Sequence, residues 1–202
     1  MPPKAPWFAR PSDLWSVLLV GGAVIAWNAV TLVRDLVRLL PNQDVQVDVL
    51  LRGVPLDLPI GPGGATVAAH VDTAGVTVPD MPPGTYVSAL GAAVVPPLAT
   101  IAITVCVLLL CRQMLGGQFF SQRATRLITA VSLLIAGGWF AWFGFSVMAS
   151  NGALALVADP AVLDAAERPM SWTPILAAMA VGALAAAFHA GERMQRDAEG
   201  LV

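Results

Sequence analysis

His70 and Asp72 stand two apart in a stretch with strand character, so both side chains would share one face. A carboxylate beside an imidazole can orient it as a base, or the two can supply a pair of metal ligands. A metal site needs further donors at a defined spacing, and none accompanies them. The pair therefore reads as a solvated surface pair. Cys106 and Cys111 are five apart in or beside one apolar run, on different faces of a helix, so they cannot bond to each other there. They read as two small buried apolar groups. His189 reads as a group favoured by the negative C-terminal end of a helix. There is no Gly-rich phosphate loop, no G-x-S-x-G and no H-E-x-x-H; Gly61-Pro62-Gly63-Gly64 is a turn with no helix after it. No catalytic, cofactor-binding or metal-binding residue is assigned, and the chain reads as non-enzymatic.

The charges with a clearer role sit at the ends of apolar runs. Phe120 and Ser121 precede Arg123 and Arg126, and the C-terminal stretch holds Arg193, Arg196, Asp197 and Glu199. These eight residues are the candidate docking set for a partner. The elements that must position them are four apolar runs. The chain of 202 residues is 57% hydrophobic and 12% charged, with a mean hydropathy of +0.74. A soluble domain of this size needs more polar surface. About twenty apolar residues in a helix match the hydrocarbon thickness of a bilayer, and Leu127 to Ala149 is free of charge throughout.

The pattern predicts a polytopic α-helical membrane protein, a four-transmembrane-helix bundle with a small β-rich extracytoplasmic insert between spans 1 and 2. Residues 1–13 form a proline-rich cytoplasmic tail and 14–40 the first span with an interfacial extension, too long in its apolar core for a cleaved signal peptide. Residues 41–89 form the insert and 90–114 the second span, where Pro96-Pro97 either starts the helix or kinks it, the start being preferred. A cytoplasmic loop covers 115–126 and the third span 127–149. Residues 150–171 are a loop with a short helix capped by Asp159, 172–190 the fourth span, and 191–202 a polar helical tail inside.

Within the insert, Val45-Gln46-Val47-Asp48-Val49 alternates with period two, as a half-buried strand does. Val54–Leu58, Ala65–Val71 and Val76–Val78 are further short strands, separated by turns at Arg52-Gly53, around Pro59–Gly64 and at Ala74-Gly75. So small an insert buries little core and needs the bilayer surface, the helix ends or a second copy to rest on.

Orientation follows from basic residues. With both ends inside, Lys4, Arg10, Arg112, Arg123, Arg126, Arg193 and Arg196 face the cytoplasm, against Arg34, Arg38, Arg52 and Arg168 outside. Close packing in lipid favours small residues, and the fourth span offers Ala178, Gly182, Ala186 and Ala190 at a spacing of four. The first offers Gly22 and Ala26, and the third Gly137 and Ala141. Asn28, an amide in lipid, is expected to seek a partner across a helix interface. The span centres carry no ionisable group, which weighs against ion or proton transport. The net charge of −2 gives no basic field for direct nucleic-acid binding.

Two stretches resemble an uncharacterised bacterial group, the domain-of-unknown-function family 2975. Gly117-Gln118-Phe119-Phe120-Ser121-Gln122-Arg123-Ala124-Thr125-Arg126-Leu127 is similar to that family's Gly-x-x-Phe-[Ser/Thr]-x-x-Asn-x-Arg-Leu lead into its third span, with Ala124 at the Asn position. Gly191-Glu192-Arg193-Met194-Gln195-Arg196-Asp197-Ala198-Glu199-Gly200-Leu201-Val202 is similar to its C-terminal Gly-x-x-Leu-x-x-Asp-x-Glu-Gly-Leu-Val. The resemblance implies a small four-span protein of the bacterial cytoplasmic membrane with an extracytoplasmic insert. It also implies a membrane partner for a cytoplasmic helix-turn-helix regulator. The residues permit this: Ser121 can cap the third span while the arginines present charge to the cytoplasm. The expected partners are thus the lipid bilayer and a cytoplasmic regulatory protein, with no cofactor. Beside this stand an accessory subunit of a larger membrane complex, a second copy of the chain as partner, and a small-solute carrier or channel. The plainer reading is that loop and tail only set topology.

Overall fold

The protein's structure, a computed structural model, describes residues 11–115, 121–158 and 170–199; for 11–14, 50–54, 56, 72, 115 and 195–199 it describes the backbone alone. The element order is α1 (Pro11–Leu39), β1 (Val45–Leu58), a short 3-10 turn (Pro62–Gly64), β2 (Val67–Val78), α2 (Pro83–Leu115), α3 (Gln122–Val157) and α4 (Thr173–Glu199). The chain is mostly helical, and by length and composition four helices suffice to cross a membrane: Trp15–Leu39, Pro83–Met114, Gln122–Val157 and Thr173–Met194. The short helix expected after Asp159 lies outside the described residues.

The chain divides into two compact units. The first gathers Met1–Val33, Pro96–Phe140 and Trp172–Val202; the second gathers Arg34–Val95 and Ala141–Ser171.

The second unit is organised by an antiparallel hairpin. β1 and β2 pair from Val45↔Val78 to Leu58↔Val67, with one irregularity between Leu50 and Val54. The sequence reading broke this region into four short strands, and two long ones form. Arg52-Gly53 is absorbed as that irregularity, and Ala74-Gly75 lies inside β2. Gly75 serves the strand because Gln46 Nε2 reaches across from β1 to where a β-carbon would stand, 2.7 Å away. Gly63 and Gly64 have φ of 68° and 83° at the tip, a backbone region that favours glycine.

The alternation has its physical cause at the hairpin base. Val45, Val47 and Val49 are buried while Gln46 and Asp48 are exposed. Val45, Val47, Val78 and Met81 pack with Ala89 of α2 and Ala149 and Ala153 of α3, flanked by Leu39, Val76 and Tyr86. Val49 meets Leu154, beside Val71, Ala74, Val76 and Ala158. These contacts explain why α2 begins at Pro83 rather than Leu90, and why α3 runs to Val157 rather than ending at Ala149. Hydropathy marks where an apolar run ends, but burial under the hairpin keeps the helix going. Pro83 suits the first turn, where its missing N–H is not needed.

Asn42 ties the base together. Its Nδ2 donates to Met81 O (3.1 Å) and its Oδ1 accepts from Met81 N (3.2 Å), closing the α1–β1 turn onto the β2–α2 turn. Tyr86 Oη donates to Leu40 O alongside (3.3 Å). Asn42 also adopts φ of 49°, which asparagine tolerates better than most residues. Asn42→Ala removes both bonds and keeps the backbone penalty, so a cost of about 2–3 kcal/mol is expected. Thermal unfolding in mild detergent checks this, with Asn42→Gly falling between the two because it relieves only the backbone part. Equal midpoints for all three chains would refute the clamp.

Pro96 and Pro97 sit inside α2 and do not start it, contrary to the sequence reading. They remove two ladder donors, leaving the carbonyls of Ala92 and Ala93 without their usual partners. The helix persists, and Thr100 Oγ1 donates to Pro96 O (2.8 Å) just beyond.

Candidate functional site

In the first unit the expected docking residues lie around the end of α2 and the start of α3. Ser121 Oγ accepts from Ala124 N (3.2 Å), capping α3, and donates to Gln113 Oε1 near the end of α2 (3.4 Å). Arg126 Nη2 donates to Gln122 Oε1 one turn back (3.2 Å), which leaves its charge outward. Ala124, at the position where the resembled family has Asn, is fully buried, so no polar contact is made there.

Ser132 Oγ donates to Ala178 O of α4 (2.7 Å), and a β-carbon at Gly182 would lie 3.3 Å from the same hydroxyl. α4 belongs wholly to this unit, while α3 leaves it after Phe140. From the Ser132 contact, α4 therefore runs antiparallel to α3, and its C-terminal part returns toward Ser121. Arg112 lies near the end of α2, Arg123 and Arg126 at the start of α3, and Arg193 in the C-terminal part of α4. All four are exposed, and among the described residues none is paired with a carboxylate.

Comparison with family models, curated proteins and solved structures finds no match to this chain. The site therefore stands on its own geometry.

Glu192 is a part of this end that the sequence did not reveal. It is buried, at 5% exposure, and its Oε2 lies 3.9 Å from His189 Nδ1. The reading of His189 as a helix-end group is corrected, because α4 continues to Glu199. Of the expected docking residues, Phe120 lies outside the described residues, and Arg196, Asp197 and Glu199 are placed only on the backbone of α4.

The small-residue line on α4 is covered in part within this chain. Ala178 is buried and Gly182 meets Ser132, but Ala186 and Ala190 are exposed. A spacing of four advances about 40° around a 3.6-residue helix at each step, so the last two turn away. A spacing of seven drifts only about 20°, and the buried line is Ala178, Ala185, Glu192. Asn28 does not reach across an interface: its Nδ2 donates to Val24 O of its own helix (2.8 Å). Thr31, Thr100, Thr104 and Thr129 likewise bond the carbonyl four residues back. Ser132, unremarkable among these hydroxyls in the sequence, makes the cross-helix bond.

Ser132→Ala is expected to cost about 0.6 kcal/mol, the usual worth of such a bond between membrane helices. Ser132→Leu should cost about 1–3 kcal/mol through overpacking against Gly182. Thermal midpoints in detergent should rank wild type, alanine, leucine in falling order. A leucine chain as stable as wild type would rule out the contact.

His70 is exposed on β2 opposite Pro55, and the side chain of Asp72 is not described. Among the described residues, no three His, Cys, Asp or Glu side chains come together to hold a metal. Cys106 and Cys111 are free thiols, half-buried on α2.

Proposed function

We propose that this chain is a multi-pass protein of the bacterial cytoplasmic membrane, with both ends inside, that holds a cytoplasmic protein at its arginine-bearing end and does not catalyse a reaction. The observation that carries the reading is the set of four exposed arginines at the ends of α2, α3 and α4, unpaired with carboxylates among the described residues. A cationic end of this kind satisfies the positive-inside rule and offers a complementary face to an acidic protein surface.

The placement in lipid rests on length. Pro96–Leu115 and Gln122–Phe140 are each about twenty residues, close to the hydrocarbon thickness. Trp139 and Trp142 mark the outer boundary of α3 and Trp172 that of α4, as aromatic belts do. The hairpin then belongs on the extracytoplasmic side. The resemblance of the α3 lead-in and the C-terminal stretch to family 2975 supports a helix-turn-helix regulator as the partner held.

The test is affinity purification from native membranes, comparing the full chain with one truncated after Met194. Ending there spares buried Glu192 and removes Arg196, Asp197 and Glu199. A soluble regulator held by the full chain and lost on truncation is the expected result. The same membrane subunits held by both would instead favour an accessory subunit. That second reading draws support from α1, where Gly22 and Ala26 are exposed with open space beside Gly22.

A further inference from the structure

α2 passes from one compact unit to the other between Val95 and Pro96, at the proline pair itself, and α3 passes between Phe140 and Ala141. Two consecutive prolines inside a helix take two bonds out of its ladder, and most sharp helix bends fall at prolines. Thr100 Oγ1 donates to Pro96 O (2.8 Å) and Thr104 Oγ1 to Thr100 O (2.7 Å). Hydroxyl bonds to the carbonyl four residues back also favour bending. α2 therefore gathers its weakest turns over Ala92–Thr104, around the point where the units part.

α3 has a weak point of its own one turn before it crosses. Gly137 and Gly138 stand together, and they differ in what surrounds them. A β-carbon at Gly138 would lie 2.9 Å from Ala99 Cβ, so close packing accounts for that glycine. Nothing comes within 4 Å of one at Gly137. A glycine inside a helix costs about 1 kcal/mol relative to alanine, and at Gly137 no contact asks for it. α1, which crosses between Val33 and Arg34, holds no glycine or proline from Ala23 to Leu39. We propose that Pro96-Pro97 of α2 and Gly137 of α3 form a joint, at which the unit holding the hairpin swings against the unit holding α4 while α1 stays whole. The joint is independent of the cytoplasmic partner proposed above.

Spin labels test this in the full chain in mild detergent, with Cys106 and Cys111 replaced by alanine. One pair, Thr77→Cys with Leu184→Cys, spans the joint. A second, Leu133→Cys with Leu184→Cys, stays within one unit, and all three positions are exposed. Pulsed dipolar spectroscopy should give a broad distance distribution for the first pair and a narrow one for the second. Pro96→Ala with Pro97→Ala restores two ladder bonds and should narrow the first distribution to the width of the second. Pro83→Ala, in the first turn of α2 where the ladder loses nothing, should leave it broad. Gly137→Ala meets no neighbour and should narrow it part of the way, so it decides the matter even where the double proline variant fails to fold. A first pair as narrow as the second in the natural sequence overturns the joint, as does a width that neither the proline nor the glycine variant changes. Equal breadth in both pairs also overturns it, because the chain is then loose throughout.

Discussion

A chain carrying Gly91→Leu is expected to fail to accumulate as a folded, monodisperse protein. Gly91 lies on α2, and a β-carbon there would stand 2.6–2.7 Å from Cγ, Cδ1 and Cδ2 of Phe145 on α3. The ring lies flat on the glycine, and three ring atoms block the position together, so no single flexible chain end can swing aside. Either Phe145 leaves its place or the two helices separate. Overpacking of a fitted interface costs about 1–3 kcal/mol for smaller insertions, and a leucine adds three carbons beyond the first. Against a total stability of about 5–15 kcal/mol, that suffices to unfold a marginal protein. Controls of the same chemistry lie on α3: nothing comes within 4 Å of a β-carbon at Gly137 or Gly144. Gly137→Leu and Gly144→Leu should therefore shift stability by no more than about 0.5 kcal/mol. Fluorescence-detected size exclusion and thermal midpoints in detergent separate the cases. Phe145→Ala placed beside Gly91→Leu should restore part of the folded yield, since it vacates the space that leucine needs. A Gly91→Leu chain as stable as Gly144→Leu would remove the α2–α3 contact from the account. Gly152 on α3 repeats the device against Thr85 of α2.

Such contacts mark the limit of what the sequence discloses. The four long apolar runs are legible because about twenty residues without charge make a helix long and apolar enough to cross a membrane. The alternation at Val45–Val49 is equally legible, because strand period is local. Helix ends are not: Pro83–Leu90 and Ser150–Val157 are helical because the hairpin covers Ala89, Ala149, Ala153 and Leu154. That information lies dozens of residues away. Glycine roles are hidden for the same reason. Gly91, Gly137 and Gly144 look alike in sequence, and only the packing of Phe145 distinguishes one of them. The candidate docking end was partly legible, since arginines that bracket apolar runs declare themselves. Burial of Glu192 was not, because it depends on the rotation of α4 about its axis. Nor does the sequence show that Ser132, rather than Asn28, bonds to a neighbouring helix.

Reversing the charge of Arg123 and Arg126 together is expected to reduce capture of the proposed cytoplasmic partner by tenfold or more. Both side chains are exposed at the start of α3, and Arg126 is held only by neutral Gln122. Among the described residues neither has a carboxylate to neutralise it, so the field of the site falls on whatever approaches. Placing two glutamates there sets like charge against an acidic partner face, and such juxtaposition costs several kcal/mol. Part of that cost is screened at physiological salt, where the Debye length is about 8 Å, which brings the expectation down to about tenfold to a hundredfold. Capture by the wild-type chain should weaken with added salt for the same reason. The arginines also contribute to the orientation rule, and removing two of them narrows the bias toward the proposed orientation with both ends inside. Accessibility of a C-terminal tag to protease in sealed vesicles must therefore be read on the same chains. Arg123→Lys with Arg126→Lys keeps both the charge and the orientation, and should retain most of the partner. A Glu/Glu chain that keeps its orientation and still holds the partner at wild-type levels would exclude this end as the docking face. A Glu/Glu chain that inverts, while a Gln/Gln chain holds orientation and partner alike, would mean that the arginines serve topology alone.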